Sequence, residues 1–152
     1  MKKLILVKHF KGAPCLRIFG LGPKLIPCNG LNKLKNFLDI NTTWARDRSL
    51  KQLRQCLANS DVIVSIWQGR EILGFGRAIS DGIYRGVLWD IVIDQNHQGK
   101  GYGTIIINSI LQDRKIKKTE KIYLMTTNKK NFYSQFNFKE VKTQDLLLRE
   151  IS

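Results

Sequence analysis

The spacing of apolar residues lays out the elements. Leu31, Leu34, Phe37 and Leu38 recur at three- and four-residue intervals, the stripe of an amphipathic helix. Arg48 to Asn59 repeats the pattern with Leu50, Leu53, Arg54 and Leu57, and Ser60-Asp61 break it. The Gly- and Pro-rich stretch from Gly20 to Gly30 is loop by composition. Asp61 to Trp67 is then β-rich, Gln68-Gly69-Arg70-Glu71 suits a turn, and Ile72 to Ile79 is the partner strand. Ser80-Asp81-Gly82 forms a second turn and Arg85 to Ile93 a third strand of an antiparallel meander. Thr104 to Leu111 is ambiguous. Ile105-Ile106-Ile107 favours strand, whereas the glycines before it and Gln112-Asp113-Arg114-Lys115 after it favour a helix with a basic last turn. Lys121 to Thr126 is a further strand, Asn128 to Phe136 a short helix, and Phe138 to Val141 and Leu146 to Arg149 are closing strands. A meander followed by β-α-β-α-β-β is one mixed α/β domain over residues 1–152.

The N-terminal MKKLILVKHF is basic and then apolar, but Lys8 interrupts the run Leu4 to Val7. A secretory core needs about 7–15 apolar residues, so this stretch is a first strand. No stretch approaches a membrane span. Cys15, Cys28 and Cys56 are odd in number and lack CxxC spacing, and His9 and His97 lie far apart. No metal site is expected, and the compartment is a reducing one. Lys and Arg number 26 against 12 Asp and Glu, a net charge of +14. That surplus suits a polyanionic partner, though a Lys-, Ile- and Asn-rich composition also produces it. Lys115, Lys117, Lys118 and Lys121 form a basic cluster. A basic RNA- or polyanion-binding module is therefore one reading, weakened because Tyr123 is nearly the only aromatic residue in that cluster.

The sequence from Asp94 to Thr104, DQNHQGKGYGT, follows the apolar strand and places glycine at 99, 101 and 103. Such a turn opening a helix directs bare N–H groups at an anion: those of Gly99, Lys100, Gly101, Tyr102, Gly103 and Thr104, with the Lys100 charge beside them. The P-loop pattern GxxxxGK[ST] is absent. The dinucleotide pattern GxGxxG fails at Ile106, and Glu120 comes too early for its acidic residue.

Gln98-Gly99-Lys100-Gly101-Tyr102-Gly103 resembles the Q/R-x-x-G-x-G/A loop of the GNAT superfamily of N-acetyltransferases, which binds the pyrophosphate of acetyl-CoA. Phe132-Tyr133-Ser134-Gln135-Phe136-Asn137-Phe138 resembles the family's FYxxxGF run, with Asn137 where glycine is usual. Asn tolerates a left-handed helix end, so that change is physically mild. Arg77 to Gly82 with Leu88 to Asp94 is similar to the small cyanobacterial and plastid-encoded members. Some plant plastid relatives acetylate arylalkylamines such as serotonin, and some acetylate protein amines.

The resemblance implies a mixed α/β fold: a mostly antiparallel twisted sheet, splayed between its fourth and fifth strands and flanked by about four helices. It implies an acetyl-CoA-dependent N-acetyltransferase acting on a primary amine (arylalkylamine, polyamine or protein amine) by direct attack on the thioester. The setting would be the cytoplasm, or the stroma if the gene is in a plastid. Backbone groups of Ile91, Val92 and Ile93 would pair with the pantetheine amides, and Gln98 to Thr104 would hold the pyrophosphate. Tyr133 is the expected acid for the departing thiolate. Asp90 is the favoured base, with a water chain as the alternative; its apolar neighbours mean that it has an arginine partner or a function. Asp94 is expected to shape the turn, His97 to have a lesser role, and Cys56 to pack. Trp44, Tyr84, Trp89 and Phe136 are candidate acceptor walls, and Ser80-Asp81-Gly82 could line that side. Thr126 stands where many relatives place an Asn. A GNAT fold that binds acyl-CoA without catalysis also fits, and C-terminal edge strands could pair two copies.

Overall fold

The computed structural model describes residues 2–9 and 29–151. Most of the Gly20–Gly30 loop, with Cys15 and Cys28, lies outside them. Strands β1 (Leu4–His9), β2 (Val62–Gln68), β3 (Glu71–Ser80), β4 (Arg85–Ile93) and β5 (Lys121–Tyr123) form one sheet in that order. The first four pair antiparallel, and β4 and β5 run parallel. Among the described residues the α-helices are α1 (Gly30–Asn41), α2 (Leu50–Ala58), α3 (Tyr102–Leu111) and α4 (Lys130–Ser134). Among the described residues no helix is long and apolar enough to cross a membrane.

Helices cover both faces of the sheet, which is why β2 is buried from Val62 to Trp67 with no polar alternation. On one face, Leu31, Leu34, Phe37 and Leu38 of α1 and Leu53 and Leu57 of α2 pack with Ile63, Trp67, Phe75 and Val92. On the other, Ile106, Ile107 and Ile110 of α3 pack with Val64, Ile66, Leu73, Ala78 and Leu88. Two strand glycines settle the ambiguous isoleucine run as helix. A Cβ on Gly74 would stand 2.8 Å from Ile106 Cδ1, and one on Gly76 would stand 2.7 Å from Ile106 Cγ2. Bare backbone at these two positions lets α3 lie directly on the sheet.

The meander follows its expected course. The Asp81 carboxylate accepts from the N–H groups of Ile83, Tyr84 and Arg85 and so closes the β3–β4 turn. Helix α2 begins later than its pattern, after Ser49, whose hydroxyl accepts from the Gln52 N–H at 3.2 Å. Helix α3 begins earlier, at Tyr102, and α4 is shorter than the run from Asn128 to Phe136.

Two expectations are corrected. Strand β5 stops at Tyr123 rather than Thr126, where its ladder with β4 ends at the Val87 pair; strand composition beyond that point has no partner to pair with among the described residues. The closing strands over Phe138 to Val141 and Leu146 to Arg149 do not form; Leu146, Leu147 and Leu148 stand in solvent. Their composition favours strand, but β-propensity is realised only against a pairing edge.

Candidate functional site

The site begins at a fault in the β3–β4 ladder. Phe75 pairs with Val92 but Arg77 pairs with Trp89, so Gly76 faces both Asp90 and Ile91. This is a β-bulge with one extra residue in β4. Asp90 takes the left-handed conformation that inserts it, φ 52°. The bulge also shifts the alternation of faces: Leu88 packs on the α3 side, then Ile91 and Ile93 do, while Val92 faces α1 and α2.

The Asp90 side chain is 4% exposed and receives two arginines. Arg48, in the α1–α2 connection, donates through Nη1 at 2.8 Å and Nη2 at 3.2 Å. Arg77 Nε donates at 2.7 Å from the neighbouring strand. Arg77 Nη1 also donates to Ser60 Oγ at 3.3 Å. Burial pushes the Asp90 pKa up. The hydrogen bonds and charges of Arg48 and Arg77 outweigh burial and hold it below the usual carboxylate range. Asp90 is therefore ionised at neutral pH and a weak acceptor of a further proton. Of the two alternatives that the sequence poses for this carboxylate, an arginine partner or a function, the structure supplies two arginine partners. Arg48 is the residue that pattern reasoning missed: it arrives from 42 positions away, and only the buried acid signals it.

Ahead of the bulge, β4 has already lost its other neighbour. Pairing with β5 covers only Arg85 to Val87 against Lys121 to Tyr123. From Leu88 to Ile93 the β5-facing edge of β4 carries no strand among the described residues, which is the splay expected between the fourth and fifth strands. This open edge includes Ile91, Val92 and Ile93 and leads directly into the glycine loop.

In that loop Gly99 has φ 76° and Gly101 φ 81°, values that side-chain-bearing residues rarely adopt. Gly101 is the N-cap of α3, and the first helical bond runs from the Ile105 N–H to the Gly101 carbonyl at 3.1 Å. Among the described residues, no N–H from Gly99 to Thr104 donates to a protein group. The run therefore presents a row of free donors at the positive end of a helix, with exposed Gln98 and Lys100 beside it. Asp94 shapes the turn as expected: it accepts from the Asn96 N–H at 3.1 Å and pairs with His97 Nδ1 at 2.6 Å. His97 in turn stacks on Tyr102, with ring centroids 6.3 Å apart. This histidine braces the loop.

The third component reaches the loop through Gly103. A Cβ there would lie 2.9 Å from Phe132 Cζ, so glycine is what lets α4 abut the start of α3. Phe132 meets the Tyr133 ring edge-on at 5.0 Å, and Phe138 meets it at 6.1 Å. Burial raises the Tyr133 pKa, which keeps its hydroxyl protonated at neutral pH. Asn137, with φ 65°, takes the left-handed position where glycine would be usual.

The four candidate walls separate. Trp44 is 59% exposed and its ring lies 6.0 Å from the Arg48 guanidinium. Trp89 is placed equally, 6.0 Å from that of Arg77. Two tryptophans thus flank the arginine–aspartate cluster. Phe136 packs against Phe132 at 5.5 Å, and exposed Tyr84 belongs to the β3–β4 turn with Asp81, at the far end of β4 from the loop. Thr126 makes a local bond, its hydroxyl accepting from the Lys129 N–H. Cys56 is half-buried on α2.

Comparison with known proteins bears on this geometry. Residues 58–140 match the family profile described as an acetyltransferase (GNAT) domain. A protein of Gracilaria tenuistipitata var. liui named uncharacterized N-acetyltransferase ycf52 is 27% identical over 142 residues, 90% of this chain and 75% of its own length. The protein of that name from Pyropia yezoensis is 31% identical over 100 residues, 62% of this chain and 57% of its own. Serotonin N-acetyltransferase 2, chloroplastic, of Oryza sativa subsp. japonica is 32% identical over 94 residues, 56% of this chain and 46% of its own. The chain thus spans only about half the length of two of these three. In fold, a GNAT-family protein of Xanthomonas campestris pv. campestris superposes with TM-score 0.72 at 17% identity, covering 99% of this chain and 95% of that one. Glucosamine-6-phosphate N-acetyltransferase of Arabidopsis thaliana does so with 0.64 at 14%, covering 98% and 100%.

Proposed function

The chain belongs to the GNAT acetyltransferase family, and from that premise we propose that it transfers the acetyl group of acetyl-CoA to a primary amine. One observation carries the proposal: the free N–H groups of Gly99 to Thr104 adjoin the open edge of β4 from Leu88 to Ile93. The first suits a pyrophosphate, and the second suits the amides of a pantetheine arm added in the manner of a strand. The residues present therefore fit acetyl-CoA as donor, held by Gln98 to Thr104 and by the backbone of Ile91, Val92 and Ile93.

Tyr133 is the proposed acid. Its raised pKa keeps a proton available for the departing thiolate. An alkylammonium, with a pKa near about 10, must first lose a proton to become a nucleophile. Asp90, held by two arginines, is proposed to position the bulge, and water to carry that proton away. The Arg48–Asp90–Arg77 cluster has one cation in excess, so it disfavours an ammonium beside it and favours the neutral amine. Trp44 and Trp89, flanking that cluster, support an arylalkylamine as acceptor. The name of the rice relative agrees with this, whereas a Glycine max relative is named a histone acetyltransferase. The proposed compartment is the cytoplasm or the plastid stroma, the latter supported by the chloroplastic rice relative.

Titration calorimetry with acetyl-CoA and with a short RNA tests the reading, followed by thiol release with tryptamine, spermidine and a lysine peptide. The expected result is saturable acetyl-CoA heat and fastest turnover with tryptamine. RNA binding without acetyl-CoA heat would favour the basic cluster at Lys115 to Lys121 as the functional surface and overturn the proposal. Binding without turnover on any amine would leave an acyl-CoA-binding protein.

A further inference from the structure

At the end of β4 opposite the glycine loop, two segments distant in sequence meet. The Glu120 N–H donates to the Ile83 carbonyl at 2.8 Å, and the Lys121 N–H to that of Tyr84 at 3.1 Å. The hydroxyls of Ser80 and Thr119 bond at 2.9 Å. The β3–β4 turn is thereby fixed beside the basic stretch that follows α3. Ile83 and Tyr84 are each 61% exposed on that turn, with Lys117, Lys118 and Lys121 exposed alongside. In sequence these lysines have little but Tyr123 for aromatic company; the fold brings them an isoleucine and a second tyrosine. The acids at this end are engaged. Asp81 accepts from the N–H groups of its own turn. Asp61 accepts from the Ser80 N–H and pairs with Lys115 at 3.5 Å, and Glu120 lies 3.6 Å from Arg85. Lys117, Lys118 and Lys121 have no ion pair among the described residues. The turn is closed by Asp81, so the exposed side chains of Ile83 and Tyr84 are not what holds it.

We propose that this end of the molecule docks on the surface of an anionic lipid bilayer. Ile83 and Tyr84 enter the boundary between headgroups and acyl chains, and Lys117, Lys118 and Lys121 meet the acidic headgroups. Lysines near a negative membrane surface are drawn to it, tyrosine suits the interface, and an isoleucine is buried only where hydrocarbon lies below the charge. A nucleic acid offers the same charge but nothing to bury Ile83 against, and its bases want stacking partners of which the turn supplies one. Contact of this kind needs no spanning helix. Strand β4 has nine residues and rises about 3.3 Å per residue, so the glycine loop stands roughly 25 Å along the strand from the bilayer contact, open to water. This inference does not depend on the proposed reaction.

Flotation of the full chain with vesicles of equal parts phosphatidylglycerol and phosphatidylcholine, and with vesicles of phosphatidylcholine alone, tests it. Binding is expected to the acidic vesicles only, and it should weaken as salt rises. Lys117→Glu combined with Lys118→Glu should weaken it at least about tenfold, and Ile83→Ser several-fold. Circular dichroism spectra should stay unchanged, because all three side chains are exposed. Lys51→Glu on α2 combined with Lys139→Glu beyond α4 makes the same change of charge at exposed positions elsewhere and should cost much less. Equal losses from the two charge-reversed pairs would overturn the proposal, since net charge alone would then explain the binding. So would a chain that does not bind acidic vesicles, or binding indifferent to Ile83→Ser. A short RNA bound more tightly than the vesicles, and lost with the same two lysines, would assign the patch to nucleic acid and overturn it as well.

Discussion

Strand β4 has two unlike sides. Toward β3 it is paired from Gly86 to Ile93, and where the ladder breaks at Asp90 two arginines hold its carboxylate, one of them also donating to Ser60. Among the described residues, it is paired toward β5 only as far as Val87, and the N–H groups of the loop that follows, from Gly99 to Thr104, have no protein acceptor. Buried polar groups are ordinarily satisfied within a fold. The contrast separates the side of β4 that the chain itself completes from the side that the proposed acetyl-CoA would complete. Both features sit on one strand: the pairing with β5 ends at Val87, and the extra residue that meets Arg48 and Arg77 follows at Asp90.

The largest effect expected on the open side is catalytic. Tyr133→Phe should lower kcat about 10²–10⁴-fold in a thiol-release assay and leave acetyl-CoA affinity unchanged; full activity would remove Tyr133 from the chemistry. On the closed side, Asp90→Asn leaves two cations facing a neutral amide. It should cost about 3 kcal/mol, lowering Tm by roughly 6–12 °C, as calorimetry would record.

The same substitution gives a pH signature. The folded pKa of Asp90 is depressed. Its stabilising contribution is therefore complete above the unfolded value of about 3.9 and is lost as pH falls through the lower folded pKa. Below about pH 4 the wild-type advantage over Asp90→Asn should shrink; an advantage that persists in acid would mean that Asp90 acts through shape alone. A smaller effect is expected of Gly76→Ala, whose Cβ would stand 2.7 Å from Ile106 and 2.8 Å from Ile91 Cδ1. Overpacking of this kind costs about 1–3 kcal/mol. Because it shifts Ile91, it should weaken acetyl-CoA binding as well as lower Tm, and so tests whether the two sides of β4 are coupled.

The open side was the more legible in sequence. Glycines at 99, 101 and 103 are needed for local backbone reasons, and local reasons show in a pattern: two have positive φ and the third admits Phe132. The bulge was not legible. Asp90 adopts a left-handed conformation in mid-strand without being glycine, and its partners lie 13 and 42 residues away. The apolar neighbours of Asp90 signalled that a partner was needed, not which one. Gly74 and Gly76 carry a signal of their own, since two glycines in one strand mark a close approach. The closing strands went astray because Leu146 to Leu148 have strand composition on a chain whose pairing edge lies elsewhere.

The central claim is that free backbone donors at the entrance to α3 hold a pyrophosphate. Isothermal titration of acetyl-CoA into the wild-type chain and Gly101→Val tests it most directly. Gly101 has φ 81° with nothing within 4 Å of an added Cβ, so the substitution acts on loop conformation rather than by crowding. A β-branched residue forced into that region is strained by about 1–2 kcal/mol, and relieving the strain turns the N–H groups away. At least about tenfold weaker binding with an unchanged circular dichroism spectrum is the predicted result. Equal affinity in the two proteins would contradict the account.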